Sequence, residues 1–186
     1  MAGTNNSRVI NNTLVCDVGT TDGCLLVRIH QDNIYGGKHG VPLNNYIVDN
    51  IVYASTAIPS LDYSNTSDSG PGRNTQQWSN YLDYNTYYSP NNTNQATIET
   101  ASDTENVTIA EGMSVLQSTW QSSSYSDPNT ISAYNDLNSS FVDPGLADPA
   151  NGNFRPSNST VKNGGSVPNT SIGSYQSSGG RKWRCV

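Results

Sequence analysis

The chain is poor in nearly everything a conventional packed domain uses. Of its 186 residues only 33% are hydrophobic and only 13% are charged; both fractions are low for a globular domain. Phe, Met and His occur twice each. No apolar run approaches the ~20 residues of a membrane span, which excludes a transmembrane helix. The net charge is −6, and cations cluster only at Arg181, Lys182 and Arg184. Nucleic acid is therefore excluded as a partner, because phosphate contacts need a basic surface. The opening residues 1–6 lack the apolar stretch of a signal peptide. Export would require a signal further upstream.

What fills the chain is uncharged and polar: 24 Asn, 25 Ser and 17 Thr. Low hydrophobicity alone would suggest disorder, because ordering entropy goes uncompensated. Disordered chains avoid aromatics, however, and this one has 11 Tyr and 3 Trp. Its apolar residues also gather in short β-branched runs. A repeat architecture fits both facts, since each repeat buries only a thin line of side chains against its neighbours. Eight Asn-x-Ser/Thr sequons, starting at Asn5, Asn11, Asn65, Asn91, Asn106, Asn138, Asn158 and Asn169, barely exceed chance in so Ser/Thr-rich a chain.

Three segments align without gaps: Val9-Ile10-Asn11-Asn12-Thr13-Leu14-Val15, Ile47-Val48-Asp49-Asn50-Ile51-Val52-Tyr53 and Leu82-Asp83-Tyr84-Asn85-Thr86-Tyr87-Tyr88. Asn12, Asn50 and Asn85 are spaced by 38 and then 35 residues. The flanking Val, Ile, Thr and Tyr argue for strands. Helical repeats would need long Ala, Leu, Glu and Lys stretches, and none precedes residue 111. Asn tolerates the left-handed backbone region. Stacked strands lie ~4.8 Å apart, so amides in one column can bond along the stack as in cross-β ladders. Leu25 to His30 reads as another strand and Asn106 to Ile109 as a weaker one. Residues 64–74 read as a loop. Met113, Leu116 and Trp120 recur near helical spacing, predicting a short helix over 111–121.

The last third carries a separate signature. Phe141-Val142-Asp143-Pro144 leads to Asn151-Gly152-Asn153-Phe154-Arg155-Pro156, then Ser159-Thr160-Val161, Gly164-Gly165 and Ser171-Ile172-Gly173-Ser174-Tyr175. This resembles the C-terminal end of pectate-lyase-like right-handed parallel β-helix proteins, with Ser159-Thr160-Val161 standing where Ser-Pro-Ala is usual. The expected fold is all-β: a right-handed parallel β-helix of about three coils over 1–110, an irregular closing segment with a short helix over 111–176, and a tail over 177–186. Such proteins have more coils than this, so the chain is expected to be the C-terminal part of a larger protein. Its uncapped N-terminal end would invite self-association or further upstream coils.

Related enzymes are lyases, hydrolases or epimerases of polysaccharides, which places this chain outside the cell or at its surface. Lyase chemistry needs a base near a sugar C–H and a cation for the adjacent carboxylate. The candidates are Arg28, His30 and Lys38, with Asp32 and His39 nearby; an ordinary solvated face explains the same residues. Asp49 and Asp83 could form a carboxylate pair for glycoside hydrolysis or simply decorate turns. Tyr46 with Tyr81 and Tyr53 with Tyr88 would stack, with Trp78 close by, giving flat faces for sugar rings or mutual support between strands. Cys16 and Cys24 bracket a turn-rich loop, and a disulfide or two reduced thiols both fit. Cys185 has no third partner. Zinc-ligand spacings are absent, and Asp17 and Asp22 read better as turn formers than as calcium ligands, so no metal or other cofactor is expected. The function expected is polysaccharide binding or processing; the alternative is a non-catalytic structural or adhesive protein.

Overall fold

A computed structural model describes residues 5–16, 23–28, 30–31, 39–40, 44–64, 80–99, 104–108, 112–122, 135–167 and 172–173. The β-branched runs become short strands. The first are β1 (Arg8–Ile10), β2 (Thr13–Cys16) and β3 (Leu25–Arg28), followed by β4 (His30–Gln31) and β5 (His39–Gly40). Next come β6 (Tyr46–Val48), β7 (Ile51–Ala54) and β8 (Leu61–Ser64), then β9 (Tyr81–Asp83), β10 (Thr86–Tyr88), β11 (Asn94–Glu99) and β12 (Thr104–Thr108).

Pairing is parallel and in register. β6 lies between β1 and β9, with Arg8, Tyr46 and Tyr81 as successive partners. β7 lies between β2 and β10, with Val15, Tyr53 and Tyr88 aligned. β8 lies between β3 and β11. The corners joining the first two ladders sit at positive φ: Asn11 at 57°, Asp49 at 59° and Tyr84 at 54°. Asn and Asp adopt this region readily; Tyr does so at a cost, and here its N–H is held by Asp83 Oδ1 at 2.9 Å.

The far edges are covered. Asp136 N donates to Leu82 O at 2.6 Å, Ser140 N to Asn85 O at 2.8 Å and Tyr87 N to Ser140 O at 2.9 Å. β12 folds back antiparallel on β11. Alternation along the strands then defines two cores. Ile47, Val52, Leu61, Tyr63, Leu82, Tyr87 and Ile98 form the larger, with Leu116 of helix α1 (Gly112–Ser122). Ile51, on the opposite face of β7 from Val52, packs with Val161 and Ile172. That second core belongs to the closing segment: β13 (Leu146–Asp148), a 3-10 turn (Pro149–Asn151), β14 (Asn153–Pro156) and helix α2 (Ser159–Asn163).

The expected right-handed parallel β-helix is corrected by this arrangement. The described strands form five separate sheets, of three, three, four, two and two strands; none is closed or solenoid-like. The physical cause is local. The strands have only two to six residues, and β12 reverses direction on β11 instead of continuing the parallel order. The hairpin-like pairs β4–β5 and β13–β14 are antiparallel and stand apart.

Candidate functional site

The most ordered polar feature is a column of asparagines. Asn50 Oδ1 accepts from Asn12 N at 3.0 Å and from Asn12 Nδ2 at 3.2 Å. Asn85 Oδ1 accepts from Asn50 N and Asn50 Nδ2, both at 3.0 Å. Ser139 Oγ then accepts from Asn85 N at 2.9 Å. Asn50 and Asn85 are fully buried, so these bonds satisfy groups that would otherwise be costly inside.

A second column runs beside it. Ser7 N donates to Asn45 Oδ1 at 2.9 Å, Asn45 N to Asn80 Oδ1 at 2.8 Å and Leu82 N to Asn135 Oδ1 at 3.0 Å. Sequence reasoning named only the first column. The signal for the second was the repeated Asn-Tyr dipeptide, Asn45-Tyr46 and Asn80-Tyr81. Main-chain bonds hold the tyrosines beside this column: Tyr46 N donates to Ser7 O at 2.8 Å and Tyr81 N to Asn45 O at 2.9 Å.

Tyr46 and Tyr81 are therefore held as a pair. Their ring centroids are 5.1 Å apart with 22° between planes, an offset-stacked geometry. Tyr46 remains 42% exposed. Arg8, also exposed, is the next register partner in the same column. Tyr81 Oη donates to Asp83 Oδ2 at 3.0 Å. Burial, and then the neighbouring Asp83 carboxylate, push the Tyr81 phenol well above its ordinary value. It stays neutral, with a flat ring and a satisfied hydroxyl.

Tyr53 and Tyr88 differ. Their rings are 6.1 Å apart and tilted by 43°, and Tyr53 packs against the Ile51, Val161 and Ile172 core beneath the closing segment. Burial and then the Asp143 charge raise the phenols of both. This column lies under the closing segment and is separate from the Tyr46–Tyr81 face. Trp78 lies outside the described residues.

The candidate catalytic residues are not described as a site. Arg28 ends β3, whereas His30 opens β4 in another sheet, opposite the strand of His39; their side chains, and all of Lys38 and Asp32, lie outside the described residues. Asp49 and Asp83 both hold backbone. Asp49 Oδ1 accepts from Ser166 N at 2.7 Å and its Oδ2 from Ser166 Oγ at 2.5 Å. Asp83 Oδ1 accepts from Asn138 N at 2.7 Å and its Oδ2 from Asn138 Nδ2 at 2.9 Å. Among the described residues no three His, Cys, Asp or Glu side chains gather as metal ligands. Cys16 and Cys24 form a disulfide, with Cα atoms 5.6 Å apart; Cys185 lies outside the described residues.

Comparison with protein families, with curated proteins and with solved structures finds no match to this chain.

Proposed function

We propose that this chain binds polysaccharide non-covalently, as a recognition or adhesive protein outside the cell or at its surface. The observation that carries the reading is the exposed Tyr46 ring stacked on the half-buried Tyr81, 5.1 Å between centroids. Aromatic faces offer sugar rings apolar contact while nearby polar groups meet hydroxyls. The pair is preorganised, so little ordering entropy opposes binding. The parallel register of β6 on β9 holds the spacing, and Asp83 occupies the Tyr81 hydroxyl. The disulfide suits an oxidising compartment. The carboxylate pair that glycoside hydrolysis would use gains little support, because Asp49 and Asp83 are engaged in holding Ser166 and Asn138.

Affinity electrophoresis through gels of acidic and neutral polysaccharides tests this. At least one polymer should retard the chain. Tyr46→Ala should abolish the retardation, and Leu137→Ala, an exposed apolar residue elsewhere, should leave it intact. Equal retardation of both variants by every polymer would remove the assignment. Release of reducing or unsaturated ends from a bound polymer would move the protein to the enzyme class.

A further inference from the structure

Tyr53 and Tyr88 form the second aromatic pair, and it is built differently from the first. The two are register partners on β7 and β10, with Val15 of β2 the next partner beyond Tyr53. Their rings lie 6.1 Å apart and are tilted by 43°, so they meet as two walls of a wedge instead of stacking as one platform. Each is half-buried and keeps part of its surface open to solvent.

The chain brings an acid to this pair. Ser140 bridges Thr86 in parallel, and Phe141 meets Tyr87 edge-on, 6.2 Å between centroids. The same course carries Val142 and Asp143 alongside Tyr88. Asp143 is exposed and fixed in a turn: its Oδ1 accepts from Gly145 N at 2.7 Å and its carbonyl from Asn158 Nδ2 at 2.8 Å. Its charge reaches both rings, being the cause after burial that raises the two phenols. Both phenols therefore stay neutral at neutral pH, and the carboxylate carries the charge. Among the described residues no cationic side chain pairs with it. Asp83, beside the first pair, is the opposite case: it is buried, and its two oxygens take donors from Tyr81, Tyr84 and Asn138.

We propose that Tyr53, Tyr88 and Asp143 form a binding site for an organic ammonium ion of the quaternary trimethylammonium type. The ring faces attract a cation through their quadrupole. Its methyl groups find apolar contact on the rings and at Val15 and Val142. Asp143 supplies the counter-charge, and the net charge of −6 raises the local concentration of cations. A metal ion would need several oxygen ligands, which one carboxylate does not supply. A neutral ligand of the same shape forfeits both the ring attraction and the carboxylate. The site does not depend on the sugar reading of Tyr46 and Tyr81.

Choline chloride titrated into the full chain, with sodium chloride withdrawn to hold the ionic strength constant, tests the site by NMR of labelled tyrosine rings. Saturable shifts should appear in Tyr53 and Tyr88, with Tyr46 and Tyr81 unmoved. Dimethylbutanol, the uncharged carbon isostere of choline, should bind about tenfold more weakly. Asp143→Asn keeps an oxygen for Gly145 N and removes the charge. It should weaken choline about threefold and leave the affinity for dimethylbutanol as it was. Tyr88→Leu should abolish saturable binding. Equal affinity for choline and its isostere, undiminished choline binding by Asp143→Asn, or the absence of saturable shifts at Tyr53 and Tyr88 overturns the proposal.

Discussion

Asn50 sits between Asn12 and Asn85, giving its Nδ2 to Asn85 Oδ1 at 3.0 Å while its own Oδ1 takes the N–H of Asn12 at 3.0 Å. It also donates to Val9 O and Val48 O. Asn50→Ala strips partners from groups in three successive segments at a fully buried position. The expected loss is about 2–4 kcal/mol, since orphaned buried polar groups cost about 1–3 kcal/mol each and networked bonds exceed pairwise sums. Asn12→Ala, at the end of the column among the described residues, should cost about 1 kcal/mol. Urea unfolding of the two variants checks the order; a larger loss from Asn12→Ala would contradict it.

Gly173 ties the closing segment to the strands. Its N–H donates to Asp49 O at 2.7 Å. Its φ is +86°, and a Cβ there would lie 2.6 Å from Ile51 Cδ1 and 2.8 Å from Thr13 Oγ1. Gly173→Ala therefore meets both backbone strain and collision. A loss of about 2 kcal/mol is expected, with faster amide exchange at Gly173 and Ile172 and little change at Asn50. Unchanged exchange at Gly173 would show that the contact is not formed in solution.

The disulfide closes a short loop, with 8 residues of sequence separation between Cys16 and Cys24. Loop-closure entropy gives about 2–3 kcal/mol for a link of this span. Reduction, or Cys16→Ala with Cys24→Ala, should lower the urea midpoint accordingly and leave the slope nearly unchanged. Alkylation and mass analysis of the native chain should find Cys16 and Cys24 protected.

Alkaline stability follows from the buried phenols. Burial first, and the neighbouring Asp136 second, hold Tyr87 well above its ordinary 10.0. Burial likewise raises Tyr63, with a smaller opposing effect from the Asn80 hydrogen bond. Their folded values lie above their unfolded ones. The folded chain thus binds more protons than the unfolded chain above pH ~10, and stability falls as pH rises there. Below that point these two groups contribute a constant amount. Unfolding monitored by tyrosinate absorbance should show Tyr63 and Tyr87 ionising only with global unfolding; Tyr87→Phe should remove part of the loss. Ionisation of both near pH 10 in the folded chain would contradict their burial.

Much of the strand layout is legible in the sequence because it is written in short local patterns. The β-branched segments around Asn12, Asn50 and Asn85 recur at spacings of 38 and 35 residues, and Met113 with Leu116 marks the helical stretch. Closure was not legible. That β12 pairs antiparallel with β11 is announced by no short-range pattern in either strand. Nor does anything in Asn135–Ser140 look like a strand, since only Ser140 forms a bridge, to Thr86, while its neighbours cover the edge through Asp136 and Ser139. The division of the tyrosines was likewise hidden. Tyr46 and Tyr53 look equivalent in sequence, yet Tyr53 lies on the side of β7 that Val161 and Ile172 cover.

The most direct test is an NMR titration of the full chain, carrying labelled tyrosine rings, with oligosaccharides of the polymer that retards it most. Exposure and stacking of Tyr46 over Tyr81 predict saturable shifts in those two rings and in the Arg8 amide, with the buried Tyr63 and Tyr87 rings unmoved. Shifts centred on Tyr53 and Tyr88, or on residues remote from the first ladder, would place the sugar elsewhere and contradict the assignment.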